Sequence, residues 1–292
     1  MTTAARTKRT TVAIEYPETD HMAENLLQRL MSEFLRPLIA RFLAQVVEGE
    51  LSKQKRYKAL RARRPMCVGA DQFWYYVEGQ PKKSVSPDVY VISGVEPTAA
   101  PPSFKLWELE RPPVFALEIV SSDVDKDYVV SPKAYALTGV EELLVYDPAA
   151  PVMADASQGA ARVRWQVWRR SSKGAWDKAL STNADRVYCE ALCCWLRVVG
   201  DGDQRRLRIA TDAAGDELFL SEAEAERDAH ARANETAKRE RETAEREREL
   251  KVRALVEVEH ERALRKALET QLSALKSKPS AGKTRAPSKR AK

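Results

Sequence analysis

Three pieces of one stretch decide how this chain is read: S-P-D-V-Y-V at residues 86–91, F-A-L-E-I-V-S-S at 115–122, and Y-A-L-T-G-V-E-E-L-L-V-Y-D-P at 135–148. Asp88 and Glu118 each sit in a short run of β-branched and aromatic residues, the composition of strands. Side chains alternate between the faces of a strand, so each carboxylate is placed close to a hydrophobic core. A carboxylate buried without a partner is costly or becomes protonated, and two of them together point to a shared cation. Asp88 after Pro87 also fits a turn cap, and Glu118 also fits a buried pair with a lysine or arginine. Asp127 and Asp147 read as local caps. Tyr135, Gly139 and the Asp147-Pro148 pair read as helix-packing and turn residues.

Working outward, strands are predicted over 67–78, 85–92, 115–120 and 143–146. A proline-rich loop at 97–105 separates the second from the third. The nearly apolar run 115–120 is that of a strand covered on both faces. Residues 133–138 read as the end of a short helix, with Gly139 where a left-handed C-cap belongs. Upstream, apolar residues recur at helical spacing from about Met22 to Val47, with Pro37 marking a kink or a junction of two helices. Glu24 and Glu33 on that helix read as solvated. The basic run K-Q-K-R-Y-K-A-L-R-A-R-R at 53–64 is either a phosphate contact or a solvated connection. Downstream of a small-residue loop at 149–161, strand-like segments fall near 163–169, 188–199 and 206–210, with turns at Lys173-Gly174 and at 200–202.

After Ser221 the composition changes. Residues 221–276 carry 14 acids and 13 bases with no Gly or Pro, and Ser221 with Glu224 forms a capping box. This is a long helix. Leu264, Leu268, Leu272 and Leu275 mark a coiled-coil seam for a second copy or another partner; a single solvated helix held by i,i+4 ion pairs is the other reading. The expected organisation is therefore an arm at 1–20, an α/β domain over 21–220, the helix over 221–276 and a basic tail over 277–292.

The 292-residue chain carries a net charge of +6, and the tail alone holds six Lys/Arg and no acid. The folded remainder is close to neutral, so the high pI says little about a nucleic-acid surface on the core. The four cysteines form no C-x-x-C pair and only three histidines exist, which argues against zinc. With no apolar leader and no run long enough to span a bilayer, the expectation is a cytoplasmic protein, not membrane-bound, whose reduced thiols pack as small hydrophobes.

A P-D, a gap and then an acid-x-residue triplet on a neighbouring strand is the pattern of PD-(D/E)XK nucleases. The wider set Y-Y-V-E-G, S-V-S-P-D-V-Y-V, K-L-W-E, F-A-L-E-I-V-S-S, K-D-Y and K-A-Y-A-L-T-G-V-E-E-L-L-V-Y-D-P resembles the Uma family of restriction-endonuclease-like proteins. The similarity is close from about Gly69 to Asp147 and looser to Leu220. The resemblance implies an α/β fold, a restriction-endonuclease-like mixed sheet flanked by helices with the site at one edge. It implies Asp88 and Glu118 as catalytic metal ligands for Mg²⁺ (or Mn²⁺), the backbone carbonyl of Ile119 as a further ligand, and DNA as the partner cleaved. Two positions depart from the pattern. Val120 stands where the triplet lysine belongs, and Ser131 stands four residues before Tyr135, where this family usually places its lysine. Lys126 and Lys133 are the remaining catalytic candidates. Either a lysine has moved, or the chain is a catalytically impaired nuclease-fold protein that binds nucleic acid or acts as a coiled-coil interaction module.

Overall fold

The computed structural model describes residues 26–121, 123–150 and 162–276. The expected arm at 1–20, Glu24, most of the 149–161 loop and the basic tail lie outside the described residues. The chain divides after Ala225 into two compact units.

The first unit is built on a six-stranded sheet. Its strands are β1 (Met66–Gly69), β4 (Val89–Ser93), β6 (Phe115–Ile119), β7 (Glu142–Tyr146), β8 (Trp165–Arg170) and β9 (Trp176–Thr182), in that spatial order. Only β6 and β7 are parallel; the other neighbours run antiparallel. The chain crosses from β6 to β7 through α3 (Ser131–Thr138), because parallel neighbours need a crossover rather than a hairpin. Gly139 ends α3 at φ +80°, the left-handed cap that glycine adopts without a Cβ clash. Two smaller sheets pack on this one: β3 (Ser84–Val85), β2 (Trp74–Tyr75) and β5 (Phe104–Lys105) in one, and β10 (Arg186–Cys189), β11 (Cys194–Val199) and β12 (Arg206–Ala210) in the other.

Alternation along the central strands creates two cores. On one face Val89, Val91, Leu117, Ile119, Leu144 and Tyr146 meet α1 (Leu26–Val47), the turn α2 (Lys58–Arg61) and the β10–β12 sheet. Helix α1 buries Met31, Leu35, Leu38, Ile39, Phe42, Leu43 and Val46 there, a stripe at helical spacing. Each such side chain contributes roughly 1.5–3 kcal/mol when fully buried. On the other face Tyr90, Ile92, Ala116, Val120, Leu143 and Val145 meet Trp74, Phe104 and Tyr135.

Several expected elements are corrected. Helix α1 is one helix that runs through Pro37 rather than two. The predicted strand 67–78 is two strands in different sheets, broken where Asp71 takes φ +55°. The predicted strand 85–92 splits into β3 and β4 at Ser86-Pro87-Asp88, since proline gives up a ladder donor. The 188–199 segment is a hairpin of β10 and β11, not one strand. Strand β9 was not predicted: from Trp176 to Thr182 it is an edge strand with mostly exposed side chains and so lacks an apolar alternation.

Helix α4 (Glu222–Lys276) starts at the predicted capping box. The Ser221 N–H donates to Glu224 Oε2 at 2.8 Å, and the Glu224 N–H reaches back to Ser221 Oγ at 3.4 Å. Beyond this turn, ion pairs at i,i+4 line the surface, among them Asp228–Arg232 at 2.9 Å and Glu235–Arg239 at 3.1 Å. Leu264, Leu268 and Leu272 are exposed; the side chain of Leu275 lies outside the description. No helix among the described residues is long and apolar enough to cross a membrane.

Candidate active site

The sheet brings Asp88 and Glu118 together. Pairing of Val89 with Leu117 carries Asp88, one residue before β4, to the level of Glu118 on β6. Asp88 is 4% exposed and is held at both oxygens: Oδ2 accepts the Ile119 N–H at 2.5 Å, and Oδ1 accepts Gln28 Nε2 from α1 at 2.8 Å. A strand residue sends its N–H and C=O out along the same edge. The carbonyl of Ile119 therefore faces the Asp88 side as well.

Glu118 shares its face with Ala116 and Val120 and is half-buried. The Tyr135 hydroxyl, from the buried side of α3, donates to its Oε1 at 2.5 Å. Burial pushes the Glu118 carboxyl well above its ordinary value of 4.5, and the neighbouring Asp88 charge adds to this. The Tyr135 hydrogen bond opposes the rise, Asp127 adds to it, and Lys126 opposes it more weakly. Tyr135 is itself pushed up by burial and by Glu118, so it remains a phenol that donates. The pair is thus an electrostatically uncomfortable one that added positive charge would relieve.

Between β6 and α3 the backbone makes a π turn over Lys126–Val130. Asp127 points inward from it and accepts from both the N–H and the hydroxyl of Ser121, at 2.7 and 2.9 Å, which is the capping role expected of it. Lys126 is exposed but near enough to act on the Glu118 charge. Lys133 is exposed, two residues and about 200° around the helix from Tyr135, and makes no hydrogen bond or ion pair with either carboxylate among the described residues. Ser131 is buried on the inner side.

Two partners escaped the sequence reading. Gln28 continues the buried stripe of α1 one turn upstream of Met31 and Leu35, so its position on an apolar face was a usable signal. Tyr135 was read as packing alone; it does pack, edge-on to Trp74 at 6.2 Å, but it also fixes Glu118. Among the described residues neither lysine nor arginine pairs with Glu118 directly, and a phenol stands where the ion-pair alternative placed a cation. Asp147 also does more than cap. It is fully buried, receives Arg162 at 2.7 and 3.0 Å, and accepts the Tyr128 hydroxyl at 2.7 Å.

Among the described residues no three His, Cys, Asp or Glu side chains cluster as a ready metal cage. What is present is two carboxylates and a peptide carbonyl where β4 begins and β6 ends, at the ends of two interior strands and not at the expected sheet edge, all oxygen donors. That set fits Mg²⁺, which uses one or two carboxylates and retains waters, better than it fits a softer ion.

The mixed sheet, its β6–α3–β7 crossover and the flanking helices define the restriction-endonuclease-like α/β class. Within that class, residues 39–177 match the family model Uma2, described as "Putative restriction endonuclease". The match spans Asp88, Glu118, Lys126, Lys133 and Tyr135. A search of curated proteins finds no match.

Proposed function

We propose that this chain is a Mg²⁺-dependent endonuclease hydrolysing DNA phosphodiester bonds, with Mn²⁺ able to substitute. The observation that carries this reading is the convergence of Asp88 and Glu118 at one strand end, with the Glu118 carboxyl driven well above its ordinary range by burial and by Asp88. The family's description as a nuclease agrees with it.

In this reading Asp88 and Glu118 hold the cation, with the Ile119 carbonyl as a further donor. A bound divalent ion supplies Lewis acidity and lowers the pKa of a coordinated water. Gln28 and the Ile119 amide fix the orientation of Asp88, and Tyr135 fixes that of Glu118, so both ligands are set before substrate arrives. Lys126 stands nearest and is assigned the task of neutralising charge that develops on the phosphoryl group. Lys133 has no such task, because its helix turns it away.

The buried Ser131 and the absence of a lysine on the inner side of α3 favour a second reading, in which the fold binds nucleic acid without cutting it. Cleavage of supercoiled plasmid by the full chain with Mg²⁺ or Mn²⁺ separates the two. The first reading expects nicking or linearisation that falls at least about 100-fold in Asp88→Ala and Glu118→Ala. An inert parent that gains activity on Ser131→Lys would establish the second.

A further inference from the structure

Two groups of exposed lysines flank the central sheet, on opposite faces. The basic run 53–64 belongs to the α1 face, where Tyr57 and Leu60 are buried in its core. Three of its four arginines serve the fold, and Arg64 is exposed. Arg56 donates to the Thr211 carbonyl at 2.7 Å and lies over the Tyr57 ring, Arg61 donates to the Gln54 carbonyl at 3.1 Å, and Arg63 pairs with Glu141 at 2.7 Å. Lys53, Lys55 and Lys58 stay exposed, but on the far side of the sheet from Glu118.

The Glu118 face carries a different set. Tyr135 reaches Glu118 from α3, Trp74 of β2 packs on Tyr135, and β2 pairs with β3. Strand β3 itself packs against α3. The turn leading into β3 presents Lys82 and Lys83, only a few residues before Asp88, while the outer side of the π turn and α3 presents Lys126 and Lys133. All four are exposed, and none makes a side-chain hydrogen bond or ion pair among the described residues. Their neighbour Lys105 differs, being engaged by Glu108 at 3.4 Å. The exposed acids of the same elements are Glu78, Asp123 and Asp125, and Asp123 is occupied with the Lys126 N–H.

We infer that Lys82, Lys83 and Lys133, with Lys126 at their inner end, form a rim that holds the phosphate backbone of a DNA duplex beside the carboxylate pair, and that the 53–64 run does not. The inference rests on the nuclease reading for the place of the reacting phosphate. The rim explains how a polyanion approaches two carboxylates: unpaired ammonium groups neutralise phosphates and release the counterions condensed on them. It also gives Lys133 a use that its outward direction permits.

The test compares two variants matched in charge removed, each made in the full chain so that the basic tail is a constant background. One carries Lys82→Ala, Lys83→Ala and Lys133→Ala; the other carries Lys53→Ala, Lys55→Ala and Lys58→Ala. Binding to a labelled DNA duplex is measured in EDTA across a salt series. Each phosphate no longer neutralised by a lysine flattens the plot of log affinity against log salt by about 0.9. The slope of the rim variant should therefore fall by as much as about 2.7, with binding about 10-fold or more weaker, while the other variant matches the parent. Equal weakening in both variants, weakening only in the 53–64 variant, or an unchanged rim variant would each overturn the inference. Because binding is read without metal, the outcome is separable from catalysis. A parent that never cleaves but depends on the rim removes only the nuclease reading, and an active parent indifferent to the rim removes only this one.

Discussion

Glu118 and Glu142 lie on adjacent parallel strands, and both turn their carboxyls toward protein, yet they are treated in opposite ways. Glu142 is 2% exposed and fully provided for. Arg169 Nε lies 2.7 Å from Oε1, the Ala191 N–H donates to Oε2 at 2.8 Å, the Glu190 N–H donates to Oε1 at 3.2 Å, and the Cys189 thiol donates to Oε2 at 3.0 Å. Through these bonds it ties β7 of the large sheet to the β10–β11 hairpin. Among the described residues Glu118 has one phenol donor and a second carboxylate for company. A buried carboxylate with a complete donor set is a structural tie; one that is short of positive charge is a site in waiting.

The sharpest way to break this contrast is at Glu142. Glu142→Ala strands the Glu190 and Ala191 amides and the Cys189 thiol, whereas Arg169 keeps Glu190 at 2.8 Å and the Tyr188 carbonyl at 2.9 Å; each buried donor left unsatisfied costs about 1–3 kcal/mol. Urea unfolding should show that destabilisation, and the fraction still folded should keep its metal response. A cost under about 1 kcal/mol would mean that Glu142 is not the tie described.

A smaller effect of opposite sign is expected at Glu118. Its folded pKa is raised, so the stability linked to it is fully present below 4.5 and is lost as pH rises through the folded value. Glu118→Gln cannot ionise and escapes that loss. In EDTA, thermal unfolding should place the variant level with the parent in acid and progressively more stable than it as the pH rises above 4.5. A variant less stable than the parent at pH 8 would show that Glu118 is satisfied without a cation.

The same contrast explains what could be read in advance. Asp88 and Glu118 stood out because charged residues interrupt apolar runs, and the Gly139 cap and the Ser221–Glu224 box are encoded within a few residues. Long-range partnerships were not legible in that way. Gln28 meets Asp88 across 60 residues, and the hairpin reaches Glu142 across 47 to 49. Glu142 gave no warning because it follows another glutamate at the start of a strand. Cys189 and Cys194 were expected to pack, and both are buried; the thiol of Cys189 also donates to Glu142, a use that spacing does not show. The π turn was equally hidden. It lets Asp127 and Ser131 both face inward, an effect of backbone geometry more than of residue type.

In the proposed function Asp88 and Glu118 form one divalent-cation site and Glu142 forms none. Calorimetric titration of the full chain with Mn²⁺ tests this most directly, since it needs neither substrate nor turnover. A single saturable binding event per chain is expected, abolished in Asp88→Asn and in Glu118→Gln and weakened in Tyr135→Phe. A parent that binds no Mn²⁺, or a Glu118→Gln variant that binds it as the parent does, would rule out a cation site at Asp88 and Glu118.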